Sequence, residues 1–445
     1  MKMRYLHLDL KGNVPQNMET FRKWLNWFRK CGFGGLVMEY DCRVAWETWQ
    51  GAGTSLYSKE AVVDLVKYAE SLGFEVVPLI QMHGHLEWIL REEKYAWLRE
   101  NGVYNELCPQ LPESKELMRK WIDEVAAMHP NTKMIHLGCD ETWALGTCEK
   151  CQAKLDERGK MGIYVDHASA MCRYAVEKGL TPLIWDDMFC HDHGISTRYL
   201  KDFPEETILV HWKYGNNTRD SLDLIALSGR RVWGASAIRC SYWYHHWHAH
   251  NNVGARLSNL AEWEETANSF DPPMTVIHTT WGRPNNLWNL YGPWEGVIAP
   301  FIAAGDPERW AKHPWRHFIE SVENSLRGHE LPRHLEKLES LAADALLLSA
   351  EDEMEERGKR FFNLALRFEA LLEEIEIHRK TVRCLDVLAK FRAGDPKREL
   401  NMKNSAAKIR KKRDAWVQDL KTFWEEGCIS DYEEYLETHL AALDV

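Results

Sequence analysis

Eight short apolar runs, most of them rich in Val, Ile or Leu, recur between residue 4 and about residue 306, and each is followed by helical or loop sequence. They lie at 5–10, 35–40, 75–81, 134–138, 181–185, 208–212, 231–235 and 275–280. An apolar run this short suits a strand buried on both faces, and apolar residues three and four apart suit the amphipathic helices between the runs. Such alternation favours a parallel sheet with crossover helices. Eight βα units predict an α/β fold closed as a TIM (β/α)8 barrel, here over residues 1–328. The connections after the second and third runs are long and carry Trp46, Trp49, Trp88 and Trp97. Long βα loops in this fold build the face that holds the functional site.

Beyond about residue 329 the aromatic runs disappear, and Leu, Ala, Glu, Lys and Arg dominate at three-and-four spacing, as in Leu335-Leu338-Leu341. Residues 329–445 are therefore expected to form a C-terminal α-helical region. It suits either a bundle packed on the barrel or the interface of a homodimer, and the sequence favours neither.

Composition narrows the partners. Hydrophobic residues at 45% and charged residues at 28% exclude collagen-like and disordered classes. A net charge of -11 provides no broad electropositive field, so neither a nucleic acid nor a membrane surface is an expected partner. A small neutral substrate fits better. The 21 Trp add flat apolar faces that suit sugar stacking, although core packing accounts for most single tryptophans. The 11 Cys do not form the dense framework of a small secreted domain and are read as mostly free thiols. Met1 to Leu6 runs straight into a strand-like segment without an apolar signal core, so a cytoplasmic location is the expectation.

The segment Met134-Ile135-His136-Leu137-Gly138-Cys139-Asp140-Glu141 carries the chemistry: an apolar strand ends in Gly and two adjacent carboxylates. Just past the C-terminal end of a barrel strand, such a pair faces the cleft. Its two acids repel one another and, if buried beside aromatics, have separated pKa values, so that one can serve as a general acid while the other stays charged. Capping of a following helix is the plainer reading for an arbitrary Asp-Glu pair.

Here the match goes further. His-Leu-Gly-Cys-Asp-Glu resembles the His-x-Gly-Gly-Asp-Glu motif of glycoside hydrolase family 20 β-N-acetylhexosaminidases, with Cys139 in place of the second glycine. Pro78-Leu79-Ile80-Gln81-Met82-His83-Gly84-His85 resembles that family's Pro-Glu-Ile-Asp-x-Pro-Gly-His, with Gln81 for Asp and His83 for Pro, and His85 matches the family histidine. The opening His7 to Gly12 is similar to the hexosaminidase D type, in which Lys11 stands where the family has a sugar-binding arginine. Lysine loses the bidentate geometry of arginine. The resemblance covers about the first three hundred residues.

The resemblance implies substrate-assisted retention, in which the substrate's acetamido oxygen attacks the anomeric carbon and no cofactor is needed. It casts Glu141 as the acid and base, and Asp140 as the group that orients the acetamido nitrogen. An apolar box for the acetamido methyl is expected from Trp185, Trp212 and Trp281, which end strands five, six and eight. Asp187, Arg283, Asn286 and Glu295 are candidates for sugar hydroxyls, with Asp9 and Glu39 as deeper partners. The family's seventh-strand Tyr-x-Asp is not evident in Trp233 to Ala237, and Tyr214 or Tyr242 is the candidate substitute. The His- and aromatic-rich stretch 242–250 is read as a cleft-lining loop that selects the aglycone.

Other signals are set aside. Gly-rich phosphate loops are absent, which argues against nucleotide chemistry. Cys148-Glu149-Lys150-Cys151 invites a zinc reading, but a structural site needs four ligands and no second Cys-x-x-Cys completes it, so no metal is expected.

Overall fold

A computed structural model of the chain describes residues 3–11, 14–190, 197–215, 217–219, 222–239, 253–281, 310–326, 333–389 and 396–443. The residues fall into two compact units: Met1–Lys11, Phe21–Ile238 and Ser258–Trp281 form one, and Gly12–Thr20, Arg239–Leu257 and Gly282–Val445 the other.

In the first unit eight parallel strands close into a barrel in sequence order. They are β1 (Arg4–Asp9), β2 (Gly35–Glu39), β3 (Glu75–Leu79), β4 (Met134–His136), β5 (Thr181–Trp185), β6 (Ile208–Trp212), β7 (Val232–Arg239) and β8 (Val276–Thr280). The expected fold class and all eight expected strands are present, with ends shifted by a few residues. Every residue of β2 and β8 is buried, as expected of strands covered on both faces. The helices between them start where their sequences say. Ser58 caps Lys59–Ser71 by accepting from the Ala61 N–H, and Pro112 sits in the first turn of Pro112–Met128, where a missing N–H costs nothing.

Strand alternation decides what fills the barrel. Tyr5, Val37, Val77, Leu79, Leu183, Trp185, Ile208, Val210, Ala235 and Ile277 make one buried cluster, joined by Met134, Trp212, Trp233 and Trp281. Members on one strand are two residues apart, so the inward parity also covers His7, Asp9, Glu39 and His136. Polar groups thereby concentrate at the C-terminal ends of β1, β2 and β4.

The long connections after β2 and β3 pack on themselves. Trp46, Trp49 and Trp88 meet Trp121 of the Pro112–Met128 helix edge-on, with centroids 5.5, 5.8 and 5.8 Å away. Edge-to-face aromatic pairs at such distances contribute about 0.5–1.5 kcal/mol each beyond burial. Three of the four loop tryptophans are thus structural, and Trp97 is 51% exposed.

The second unit is helical in its described part beyond residue 310. Glu353–Ala389 and Pro396–Gly427 are its longest helices. Phe361, Phe368, Ile375, Trp416, Phe423 and Trp424 build their shared core. Val14 and Ser430 exchange two hydrogen bonds, which tie the 14–20 segment to the end of the second long helix.

Candidate active site

Four of the eight left-handed non-glycine residues among the described ones lie around the candidate residues. Asp41 after β2, His85 after β3, and Cys139 and Glu141 after β4 have φ of 36°, 56°, 69° and 50°. Each left-handed non-glycine residue costs roughly 1–2 kcal/mol, and such strain gathers at functional sites. Cys139 occupies the position of the second glycine of the family motif, and its φ explains why glycine suits that position. Its thiol compensates in part by donating to the Leu137 carbonyl at 3.3 Å. Gly84 is required by close approach: a Cβ there would lie 2.6 Å from the Asp140 carbonyl oxygen.

These turns bring the two acids and one histidine together. His85 Nε2 lies 3.2 Å from Asp140 Oδ2 and 3.3 Å from Glu141 Oε2. The Asp140 side chain is 9% exposed and that of Glu141 40%, so neighbouring carboxylates occupy different environments. Asp140 Oδ1 is buried and has no hydrogen-bond partner among the described residues. Asp187, just past β5, accepts from the Glu141 N–H at 3.0 Å. Burial and then the charge of Asp140 push the Asp187 carboxyl well above the usual carboxylate range.

At and just past the ends of β5, β6 and β8, aromatic rings form a chain. Trp281 lies 5.7 Å from Trp185 and 6.4 Å from Tyr214, and Tyr214 stacks on Trp212 at 5.1 Å. Trp212, Tyr214 and Trp281 are partly exposed, whereas Trp185 is fully covered and packs on His136 at 4.3 Å. The indole N–H groups of Trp185 and Trp281 are buried without a hydrogen-bond partner among the described residues.

Asp9, Lys11 and Glu39 form a separate buried network. Lys11 Nζ reaches Glu39 Oε1 and Asp41 Oδ2, each at 2.6 Å, with Asp9 Oδ1 at 3.7 Å. His7 Nε2 bonds the other Glu39 oxygen at 2.9 Å, and Gln81 donates to Glu39 at 3.0 Å. A carboxylate at position 81 would repel Glu39; glutamine donates instead. Burial alone would raise Glu39, but Lys11 and His7 outweigh it and hold its carboxyl well below 4.5. Burial drives Asp41 the other way, to about 8, with Lys11 opposing and Glu39 adding.

The structure thus brings Asp140, Glu141, His85 and Asp187 together, groups Trp185, Trp212, Tyr214 and Trp281, and commits Asp9, Lys11 and Glu39 to one another. Arg283, Asn286, Glu295 and Tyr242 lie outside the described residues. Gln81 stands out in the sequence as a departure from the family motif, and the structure places it on Glu39; His7 and Asp41 have no such signal beyond the parity of β1. Among the described residues two sets of side chains hold metal-ligand atoms within 4.8 Å of one another: Glu100, Cys108, Cys148 and Cys151, and Asp186, Cys190 and His211. In the second, His211 already bonds Asp186 at 2.8 Å.

The family model described as "Glycosyl hydrolase family 20, catalytic domain" matches residues 39–290. The chain is similar to Hexosaminidase D of Homo sapiens, with 29% identity over 334 residues, 69% of this chain and 64% of that protein. It therefore spans just under two thirds of the human relative's length. To Hexosaminidase D of Bos taurus it is 28% identical over 306 residues, 63% of this chain and 84% of that protein. Among solved structures, a β-N-acetylhexosaminidase from Bacteroides fragilis NCTC 9343 shares the fold with a TM-score of 0.55 at 20% identity, over 68% of this chain and 65% of that one.

Proposed function

The chain belongs to glycosyl hydrolase family 20, and from that premise we propose that it is a retaining exo-β-N-acetylhexosaminidase acting on terminal β-linked GlcNAc or GalNAc of small glycans or glycosides. One observation carries this reading: Asp140 is buried with one oxygen at His85 and the other without a partner among the described residues, beside the more accessible Glu141. A buried carboxylate with a vacant acceptor suits an acetamido N–H. A half-buried carboxyl beside it suits a proton donor that must reach a glycosidic oxygen.

In the proposed reaction the acetamido carbonyl oxygen forms a bond to the anomeric carbon as the glycosidic bond breaks, and Glu141 gives its proton to the departing oxygen. Asp140 holds the acetamido nitrogen and offsets the positive charge of the oxazolinium ion. Water then attacks the anomeric carbon, Glu141 takes its proton, and the ring opens to a product of retained configuration. Trp212, Tyr214 and Trp281 wall the acetamido methyl, with Trp185 behind them. The described cysteines are free thiols, which supports a reducing, cytoplasmic setting.

The reading is tested with nitrophenyl β-glycosides of GlcNAc, GalNAc and glucosamine, together with a thiazoline mimic of the intermediate. Turnover of the acetylated substrates with retention, blocked by the thiazoline, is the expected result. Preferential turnover of the free amino sugar would overturn the substrate assignment, and thiazoline binding without turnover would point to a silent sugar-binding barrel.

A further inference from the structure

The Cys148–Cys151 pair is not isolated. The connection after β3 supplies Glu100 and Cys108, and the connection after β4 supplies the pair from the N-terminus of the short helix Glu149–Gln152. Cys108 Sγ lies 3.5 Å from Cys148 Sγ and 3.7 Å from Cys151 Sγ, while both sulfurs of the pair lie 3.1 Å from Glu100 Oε2. Glu100, Cys108 and Cys151 are buried, Cys148 is half-buried, and all three cysteines are free thiols.

We propose that Glu100, Cys108, Cys148 and Cys151 form a structural Zn2+ site that ties the β3 connection to the β4 connection. Zinc prefers a tetrahedron of thiolate, imidazole or carboxylate ligands, with Zn–S near 2.3 Å, which sets sulfur–sulfur edges at about 3.8 Å. The two edges at Cys108, 3.5 and 3.7 Å, fall close to that value. A buried carboxylate facing three sulfurs is a poor hydrogen-bonding arrangement, since thiols are weak donors, but it is a good donor set for a thiolate-loving divalent cation. The surrounding groups orient the ligands as outer-shell groups do at zinc sites. The N–H groups of Thr147 and Cys148 donate to Glu100 Oε1 at 2.9 and 2.8 Å, which turns Oε2 toward the sulfurs, and the Cys151 N–H donates to Cys148 Sγ at 3.4 Å. On binding, each thiol releases its proton to solvent.

The site lies along the chain from Glu141. Glu106 accepts from the Ala144 N–H at 2.8 Å, and the Leu107 N–H donates to the His83 carbonyl at 3.3 Å, so the clip restrains the stretch 141–148 against the β3 connection. The metal assignment does not depend on the reaction proposed above.

The test is metal analysis of the full chain, purified under reductant from zinc-supplemented cells. About one Zn2+ per chain is expected, and replacement by Co2+ is expected to produce thiolate-to-cobalt charge-transfer bands with tetrahedral d–d bands. Cys148→Ser and Glu100→Gln should each weaken zinc binding by more than the roughly 10–100-fold that loss of an outer-shell partner causes, and should lower Tm. Cys384→Ser, at an exposed cysteine outside the cluster, should leave metal content unchanged. Wild-type protein without bound metal after zinc supplementation would overturn the proposal, as would variants that keep the wild-type metal content. If the variants fail to fold, the wild-type stoichiometry and cobalt spectrum decide the question.

Discussion

The buried carboxylate of Asp187 accepts a hydrogen bond from the backbone N–H of Glu141 at 3.0 Å, so the turn after β5 fixes the turn after β4. Asp187 looked from sequence like a ligand of sugar hydroxyls; the structure gives it a positioning contact. Asn at this position keeps the acceptor, whereas Leu removes it. Asp187→Leu is therefore expected to lower kcat on the order of 100-fold, because misplacing a catalytic group by about 1 Å has that effect, and Asp187→Asn to retain most of it. Equal losses in both variants, measured on an N-acetylhexosaminide, would show that the acceptor is not what matters.

Removing the acids themselves separates two roles. Glu141→Gln is expected to lower kcat by about 10²–10⁴-fold through loss of general acid and base catalysis. Asp140→Asn is expected to lower kcat comparably and to weaken thiazoline binding, since the developing positive charge loses its partner. Circular dichroism should show both variants folded, and near-normal turnover in either would contradict its role.

The Lys11 network predicts a stability maximum on the acid side of neutrality. Asp41 is raised from 3.8 to about 8, so the native state binds more protons than the unfolded chain, and the stability it contributes falls as pH climbs toward that value. Glu39 is held below 4.5, so its contribution is present above that pH and disappears in acid. Asp41→Asn should flatten the alkaline limb of a Tm-against-pH curve and leave the acid limb in place. Identical alkaline limbs in wild type and variant would exclude Asp41 as the cause.

Cys139 carries φ of 69° in a fully buried position. Cys139→Gly should relieve roughly 1–2 kcal/mol of left-handed strain, offset in part by the lost thiol packing, and so change stability little. Cys139→Val places a β-branched side chain at the same φ and should destabilise by more than that amount. Urea unfolding measures both, and a valine variant as stable as the glycine variant would refute the strain argument.

Trp121 anchors the tryptophans of two long connections. Trp121→Ala should cost about 3–5 kcal/mol, as large-to-small changes of buried aromatics do. Thermal unfolding checks the loss, and a change below about 1 kcal/mol would mean that the loops do not depend on this ring.

The barrel was legible because its signal is local. A strand buried on both faces must be a short apolar run, and eight such runs with helical spacing between them admit few closed arrangements. Asp140 and Glu141 were legible for a related reason, since their place at the end of β4 follows from chain position alone. What joins residues distant in sequence was not legible. Trp46, Trp49 and Trp88 serve a core around Trp121, and Lys11 is enclosed by carboxylates from β1, from β2 and from the turn after β2. Cys108 and Glu100 reach Cys148 and Cys151 across some forty to fifty residues. Periodicity reports which face of an element is buried, because that is set by neighbours three or four residues away. Which side chains meet across the barrel mouth depends on loop closure and on φ values such as those of His85 and Glu141, and these are decided only when the whole chain has packed.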